Sequence, residues 1–166
     1  MATVARISPC LWFDSQAEEA ARFYVSVFPG SGVDHVSRYG AAGFEVHGRP
    51  AGSVMTVAFH LGSQPLVALN GGPAFRFNEA ISLQVHCDGQ DEVDRYWARL
   101  AEGGEEGRCG WLKDRYGLSW QVIPMAMGEL LGNPDLPGAQ AAFRAMLQMR
   151  KLDVAVLRRA FDGIGA

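Results

Sequence analysis

Residues able to do chemistry are few in this 166-residue chain, and most of them are uncharged. Their signals are densest between Trp111 and Pro124, where Asp114 and Gly117 stand three apart and Gln121 directly follows Trp120. An Asp that opens a type I turn and a Gly that closes it with positive φ predict a hairpin. Beyond that turn Leu118, Trp120 and Val122 alternate with Ser119, Gln121 and Ile123, the period of a half-buried strand, so Gln121 falls on the less apolar side. A side-chain amide there can donate and accept hydrogen bonds, but it is a weak ligand for a divalent ion. His60 offers an imidazole for proton transfer or metal binding, and Glu79 a carboxylate for general base work. Each also has a plainer reading, His60 as a hydrogen-bonded wall residue and Glu79 as a solvated strand end. His35 and His47 lie in or near loops, where solvation accounts for them. Cys109 sits between Arg108 and Gly110 in what reads as an exposed turn, where a basic neighbour would favour the thiolate. With no histidine near it in sequence, an inert thiol is expected.

Secondary elements must position these groups. Ile7 to Phe13 reads as a strand ending at Asp14-Ser15, and Ser15 with Glu18 has capping-box spacing. Ala20, Phe23, Tyr24, Val27 and Phe28 then recur at helical intervals until Pro29-Gly30. Val33 to Tyr39 predicts a second strand, Gly40 to Gly52 a loop, Met55 to Leu61 a third strand and Leu66 to Asn70 a fourth, turned at Gly62 to Pro65. The unit is βαβββ. A linker from Gly71 to Asn78 follows, and then the pattern restarts. Ile81-Ser82 and Asp88-x-Gln90 match Ile7-Ser8 and Asp14-x-Gln16 at an offset of 74, and Arg95-Tyr96-Trp97 matches Arg22-Phe23-Tyr24 at 73. Val93, Tyr96, Trp97 and Leu100 form the stripe of the second helix, and Glu105 to Cys109, Trp111 to Asp114 and Leu118 to Pro124 supply its strands. The expected organisation is one domain over 1–166, with modules at 5–72 and 79–125 and a helical extension at 126–166. In that extension Gly128 to Gly132, Ala139 to Lys151 and Asp153 to Phe161 read as helical, each too short to be stable without packing on the sheet or on a partner chain.

Hydrophobic residues make up 48% and charged residues 20%, with a net charge of −3. Such a balance gives no electrostatic reason to expect nucleic acid or an acidic membrane as partner. No apolar run approaches the roughly 20 residues that span a bilayer, so a cytoplasmic location is expected. Three cysteines with no CxxC fit reduced thiols.

On alternation, the face opposite the helices carries Leu11, Phe13, Thr56, Ala58, His60, Asn70, Ser82, Gln84, Ser119 and Gln121. Trp111 is the aromatic expected to join it, whereas Trp12, Trp97 and Trp120 are expected in the core. Apolar groups with amides and hydroxyls suit a neutral or weakly polar small organic ligand. They equally suit strands tied together around ordered water. A slip of one residue would invert the assignment.

The hairpin Asp114-x-x-Gly117-x-x-Trp120-Gln121 resembles the last hairpin of the glyoxalase, bleomycin-resistance and extradiol-dioxygenase superfamily (vicinal oxygen chelate). Pro9 to Pro29, Asn70-Gly-Gly-Pro73, Asn78 to Ser82, Val93 to Trp97, Gly110 to Asp114 and Met146 to Met149 are similar to its PhnB-like branch, often labelled demethylubiquinone methyltransferase-like. The resemblance implies an α+β fold, paired βαβββ modules forming a cupped mixed sheet, with C-terminal helices, a homodimer and a ligand site in the cup. The family's metal positions fall on Pro9, on Ala68 or Asn70, on Ala80 or Ser82, and on Gln121, where the superfamily usually has Glu. No metal and no cofactor is therefore expected. Methyl transfer is not expected either, since no GxGxG-like loop for S-adenosylmethionine follows any strand. Three functions stay open: a metal-independent small-molecule binding protein or enzyme, a glyoxalase-type lyase or dioxygenase with a metal displaced toward His60, and a drug-sequestering resistance protein.

Overall fold

The computed structural model describes residues 6–163, and the chain divides between Phe77 and Asn78 into two compact units. The first contains β1 (Cys10–Phe13), α1 (Ala17–Val27), β2 (Gly32–Arg38), a one-turn helix α2 (Phe44–His47), β3 (Val54–Leu61) and β4 (Gln64–Asn70). Its four strands lie in the order β1-β4-β3-β2. β1 runs parallel to β4, and the other pairs are antiparallel. The β3–β4 hairpin is tight because Gly62 takes φ of 57° at the turn, a conformation that costs glycine little. α2 interrupts the predicted loop over 40–52, held between left-handed Gly43 and Gly48.

The second unit repeats the plan with β5 (Leu83–Cys87), α3 (Gln90–Ala101), β6 (Glu105–Glu106), β7 (Trp111–Lys113) and β8 (Ser119–Pro124), in the order β5-β8-β7-β6. β5 and β8 are parallel, as β1 and β4 are. Both units are βαβββ, and the class is α+β. Each core lies between a sheet and its helix. Ala17, Ala20, Ala21 and Tyr24 of α1 are fully buried, as are Val57 and Phe59 of β3, while Val93 and Leu100 of α3 are buried with Trp120 and Val122 of β8.

Three helices, α4 (Met127–Leu131), α5 (Pro137–Met146) and α6 (Val154–Phe161), complete the second unit. Their contacts with the strands and α3 are specific. Gln90 of α3 donates to the Leu152 carbonyl at 3.1 Å and accepts from the Val154 amide at 2.8 Å. Asp153 caps α6 through the Val156 amide at 2.9 Å, as an N-terminal Asp should. At Gly138 an added Cβ would lie 2.4 Å from the Phe161 carbonyl oxygen, so only glycine lets α5 approach the end of α6. Among the described residues no helix is long and apolar enough to cross a membrane.

Candidate functional site

The face that each strand residue presents follows from one contact and the register. Tyr24 of α1 stacks on Phe59 with ring centroids 6.3 Å apart, so Val57 and Phe59 face the helix and Thr56, Ala58 and His60 face away. Val57 pairs with Ala68, Ala68 with Leu11, and Asn70 with Phe13, which carries the helix face across the sheet. Leu11, Phe13 and Asn70 therefore lie on the helix side, each no more than 6% exposed, and not on the open face that alternation suggested. The run Cys10-Leu-Trp-Phe13 is apolar at every position, so it carries no alternation from which to set a phase. Trp12 is corrected in the opposite sense. It shares the open face with Cys10, Val67 and Leu69, donates from Nε1 to the Gly72 carbonyl at 2.8 Å and meets Phe75 edge-on at 4.9 Å. Burial raises the pKa of the Cys10 thiol.

Asn70 has a structural task on its side of the sheet. Its Oδ1 accepts from the Ala17 amide at 2.8 Å and its Nδ2 donates to the Val54 carbonyl at 3.0 Å. It thus satisfies an amide at the start of α1, one of the four that a helix leaves open. The predicted Ser15–Glu18 capping box does not form, because Glu18 pairs with Arg22 at 2.7 Å and the Ser15 amide donates to Gln16 Oε1 at 3.2 Å.

On the open face of the first unit His60 is held by a carboxylate. Its Nδ1 lies 2.9 and 3.1 Å from the two oxygens of Asp34. The ring packs over Gly32, where an added Cβ would meet Cε1 at 3.0 Å. A carboxylate on Nδ1 favours the tautomer whose Nε2 carries the lone pair, an arrangement able to accept a proton. Toward the other end of β3, on the same face, Thr56 shares a 2.6 Å hydrogen bond with Ser37.

The second unit presents a different face. Trp120 packs inward, where its Nε1 donates to Asp114 Oδ2 at 2.8 Å. Asp114 is 3% exposed, and its other oxygen accepts from the amides of Tyr116 and Leu118 at 2.8 and 3.1 Å. The Gly117 amide donates to the Asp114 carbonyl at 2.9 Å, and Gly117 has φ of 87°, as the turn spacing predicts. The Asp therefore anchors the hairpin that aims Ser119 and Gln121 at the opposite face. Gln121 sits beside Gln84 in the parallel pair and beside Trp111 in the antiparallel one. It donates from Nε2 to Ser82 Oγ at 2.8 Å, and its Oε1 accepts from Gln84 Nε2 at 3.3 Å. Ser82 keeps its hydroxyl proton, and Gln84 keeps its carbonyl oxygen for an incoming group.

One step along the same face, Ser119, Lys113 and Glu105 lie in register across β8, β7 and β6. Here the wall closes a cavity of about 190 Å³ lined by Glu79, Glu105, Glu106, Gly107, Trp111, Leu112, Lys113 and Ser119. Ser119 is 1% exposed, and its hydroxyl has no hydrogen-bond partner among the described residues. A buried hydroxyl left unpaired costs roughly 1–3 kcal/mol. Glu79 forms an ion pair with Lys113, and the hydrogen bond from that ammonium is the main cause holding the Glu79 carboxyl below its usual pKa. Glu106 points to the other side, where it accepts from Trp97 Nε1 at 2.9 Å. Sequence reasoning named Trp111, Ser119, Gln121 and Glu79 and passed over Lys113 and Glu105. A two-residue strand beside a glycine-rich bend carries too little alternation to show its faces.

Cys109 departs from its expected exposed turn. It has φ of 55°, its amide donates to the Met149 carbonyl at 2.9 Å and its thiol lies 3.6 Å from the Met146 carbonyl, so it is half-buried against the segment after α5. Cys87 is buried under α3, which pushes its thiol up to about 11.

The superfamily's metal does not fit these donors. Asn70 is consumed in capping α1, Pro9 and Ala68 supply no donor, and Gln121 and Ser82 are neutral groups bonded to each other. Divalent transition metals require imidazole, thiolate or carboxylate ligands converging on one point. Among the described residues no three His, Cys, Asp or Glu side chains are so grouped.

Comparison with known proteins agrees with this architecture. The PhnB protein from Bacillus cereus, described as a candidate 3-demethylubiquinone-9 3-methyltransferase, is 32% identical, with a TM-score of 0.64 over 72% of this chain and 99% of its own. Protein PA1353 from Pseudomonas aeruginosa is 24% identical with a TM-score of 0.57, covering 73% of this chain and 98% of that one. The fosfomycin resistance protein FosX from Mesorhizobium loti is 16% identical with a TM-score of 0.53, covering 80% and 100%. The last two likenesses speak for the fold alone, which is that of the glyoxalase and bleomycin-resistance proteins with added C-terminal helices. Among curated protein sequences there is no significant match. The family model described as 3-demethylubiquinone-9 3-methyltransferase matches residues 5–123, and with this match and the PhnB likeness the chain belongs to that PhnB-like family.

Proposed function

We propose that this chain is a PhnB-like protein that binds a small organic molecule without the help of a metal ion, on the open sheet face of its second unit. The observation that carries the reading is the uncharged ladder Ser82, Gln121 and Gln84, joined by hydrogen bonds of 2.8 and 3.3 Å and flanked by Trp111 and the unpaired Ser119 hydroxyl. Ladder ends that still offer one donor and one acceptor next to an indole wall match what small-molecule sites need: apolar surface with a few placed polar groups. A glyoxalase-type metal reaction lacks its donors, and His60 has one ring nitrogen already engaged by Asp34. Methyl transfer is disfavoured as the activity because no strand is followed by a GxGxG-like loop to hold S-adenosylmethionine. Whether turnover accompanies binding distinguishes an enzyme from a sequestering protein, so product formation belongs in the same assay.

The test is a titration of a neutral aromatic library, read by tryptophan fluorescence, with and without a chelator. Ligands with micromolar affinity that the chelator leaves unchanged, and that Gln121→Leu weakens about tenfold, are the expected result. Binding that disappears with the chelator and returns with added metal would overturn the reading.

A further inference from the structure

We infer that the cavity on the β6–β8 face takes a compact organic cation, an ammonium on an aromatic frame that also carries one neutral hydrogen-bonding group. This names the ligand class of the site proposed above and rests on that reading. Three independent features converge on it. Across the face, Ser119, Lys113 and Glu105 stand on adjacent strands, spaced about 4.8 Å apart as neighbouring strands are. Lys113 is neutralised by its ion pair with Glu79. Glu105 has no salt bridge among the described residues and adds only the weaker pull of its charge on the same ammonium, so two carboxylates face one ammonium and the cavity carries one carboxylate in excess. An anion would meet that excess, and a cation would complete it.

The second feature is the Trp111 indole in the same wall. An aromatic wall near a carboxylate favours ammonium groups, through the ring quadrupole and through apolar contact with the carbon frame. The third feature points to a ligand without reference to charge. Ser119 lines the cavity, and its hydroxyl, buried just behind that wall, is unpaired among the described residues, so a small shift of the side chain would let it bond a polar group that fills the space. A volume of about 190 Å³ suits a molecule with one ring and a short side chain.

Three probes of nearly equal shape separate the possibilities: tyramine, its neutral analogue 4-(2-hydroxyethyl)phenol, and 4-hydroxyphenylacetate. The full chain is titrated with each, by calorimetry and by tryptophan fluorescence. Tyramine is expected to bind about tenfold tighter than the neutral phenol, and the acid more weakly than either, with the preference shrinking as salt is raised. Glu105 is exposed, so Glu105→Gln should fold normally and bring tyramine and the neutral phenol within about twofold of each other. Ser119→Ala removes an unpaired hydroxyl without enlarging a core cavity and should weaken both phenols about equally, by roughly fivefold. Equal or tighter binding of the neutral phenol, or a preference that survives Glu105→Gln, overturns the cation inference and leaves the small-molecule reading standing. Failure of every probe and every library compound to bind overturns both.

Discussion

Where β8 carries Gln121, β4 carries Val67, and where β7 carries Trp111, β3 carries Ala58. This correspondence follows from the repeat and the register together. Cys10 and Gln84 are equivalent at the offset of 74, and their parallel partners are Val67 and Gln121. The same reckoning matches Leu66 with Trp120, Ala68 with Val122 and Asn70 with Pro124, all of them buried. The helix-facing positions have kept their character in both units, because a sheet packed on a helix demands apolar volume there. The open faces have separated. One presents Cys10, Trp12, Ala58, Val67 and Leu69 around a hydroxyl pair, and the other presents amides, hydroxyls and charges. Burial constrains one side of a sheet, so units that share a plan are free to differ on the side that burial leaves open.

The hairpins show the largest asymmetry, and breaking it should have the largest effect. The β7–β8 turn depends on Asp114, which accepts two backbone amides and the Trp120 indole from a position 3% exposed. The β3–β4 turn manages with Gly62. Asp114→Ala removes the carboxylate acceptor of three donors, two of those bonds buried, and should destabilise the second unit by about 3–5 kcal/mol. The midpoint of a urea titration should fall accordingly, and a midpoint within experimental scatter of the native one would remove the anchoring role.

Next in size is the difference at the C-terminal ends of β4 and β8. Asn70 caps α1 from the sheet, whereas Pro124 at the equivalent place has no side-chain donor or acceptor and α3 has no side-chain cap. Asn70→Ala should cost about 1–2 kcal/mol, the ordinary value of a lost cap, and should speed amide exchange at Ala17. Protection at Ala17 that stays unchanged would mean that α1 does not need the cap.

Much of the scaffold was legible in the sequence because its signals are redundant. The repeated Ile-Ser and Asp-x-Gln flanks, the two helix stripes and the Asp114–Gly117 spacing each point to βαβββ, and they agree. The faces of β5 and β8 were legible too, since Ser82, Gln84, Ser119 and Gln121 alternate with Leu83, Val85, Trp120 and Val122. β1 was not, because four apolar residues in succession look alike from either side, and its phase is set only by pairing with β4. Asn70 misled for a related reason. A polar residue ending a strand suggests a ligand group, yet its partner lies 53 residues away at Ala17, a distance over which sequence spacing says nothing. Glu105 and Lys113 were missed because their meaning comes from registry across three strands.

A swap of the equivalent open-face residues sharpens the functional side of the comparison. Gln121→Val should change stability by less than about 1 kcal/mol, since the residue is half-buried and its loss frees only Ser82 and Gln84. It should weaken a bound ligand by about tenfold. The reciprocal Val67→Gln should leave affinity within about twofold. Equal losses from both exchanges would mean that the two faces share the binding work.

The smallest expected effect concerns the basic side chain on each open face. His60 beside Asp34 and Lys113 beside Glu79 occupy equivalent places, His60 paired with Pro65 and Lys113 with Ser119. The Glu79 carboxyl is held below its ordinary value of 4.5, first by the hydrogen bond from Lys113, and Lys113 is raised above 10.5 chiefly by the same bond. A depressed carboxylate contributes stability that is present above its unfolded value and lost as pH falls through the folded one. A raised ammonium contributes stability that is present below its unfolded value and lost as pH rises through the folded one. The pair therefore acts on a plateau between roughly pH 4.5 and 10.5 and fades on both flanks. Both groups are solvent-exposed, so the contribution to stability is slight and is better read at the carboxyl itself. In Lys113→Met the carbon-13 titration of the Glu79 carboxyl should move up toward its ordinary value, and added salt should move the native protein the same way. A Glu79 titration indifferent to both changes would show that the ammonium of Lys113 is not held by Glu79 in solution.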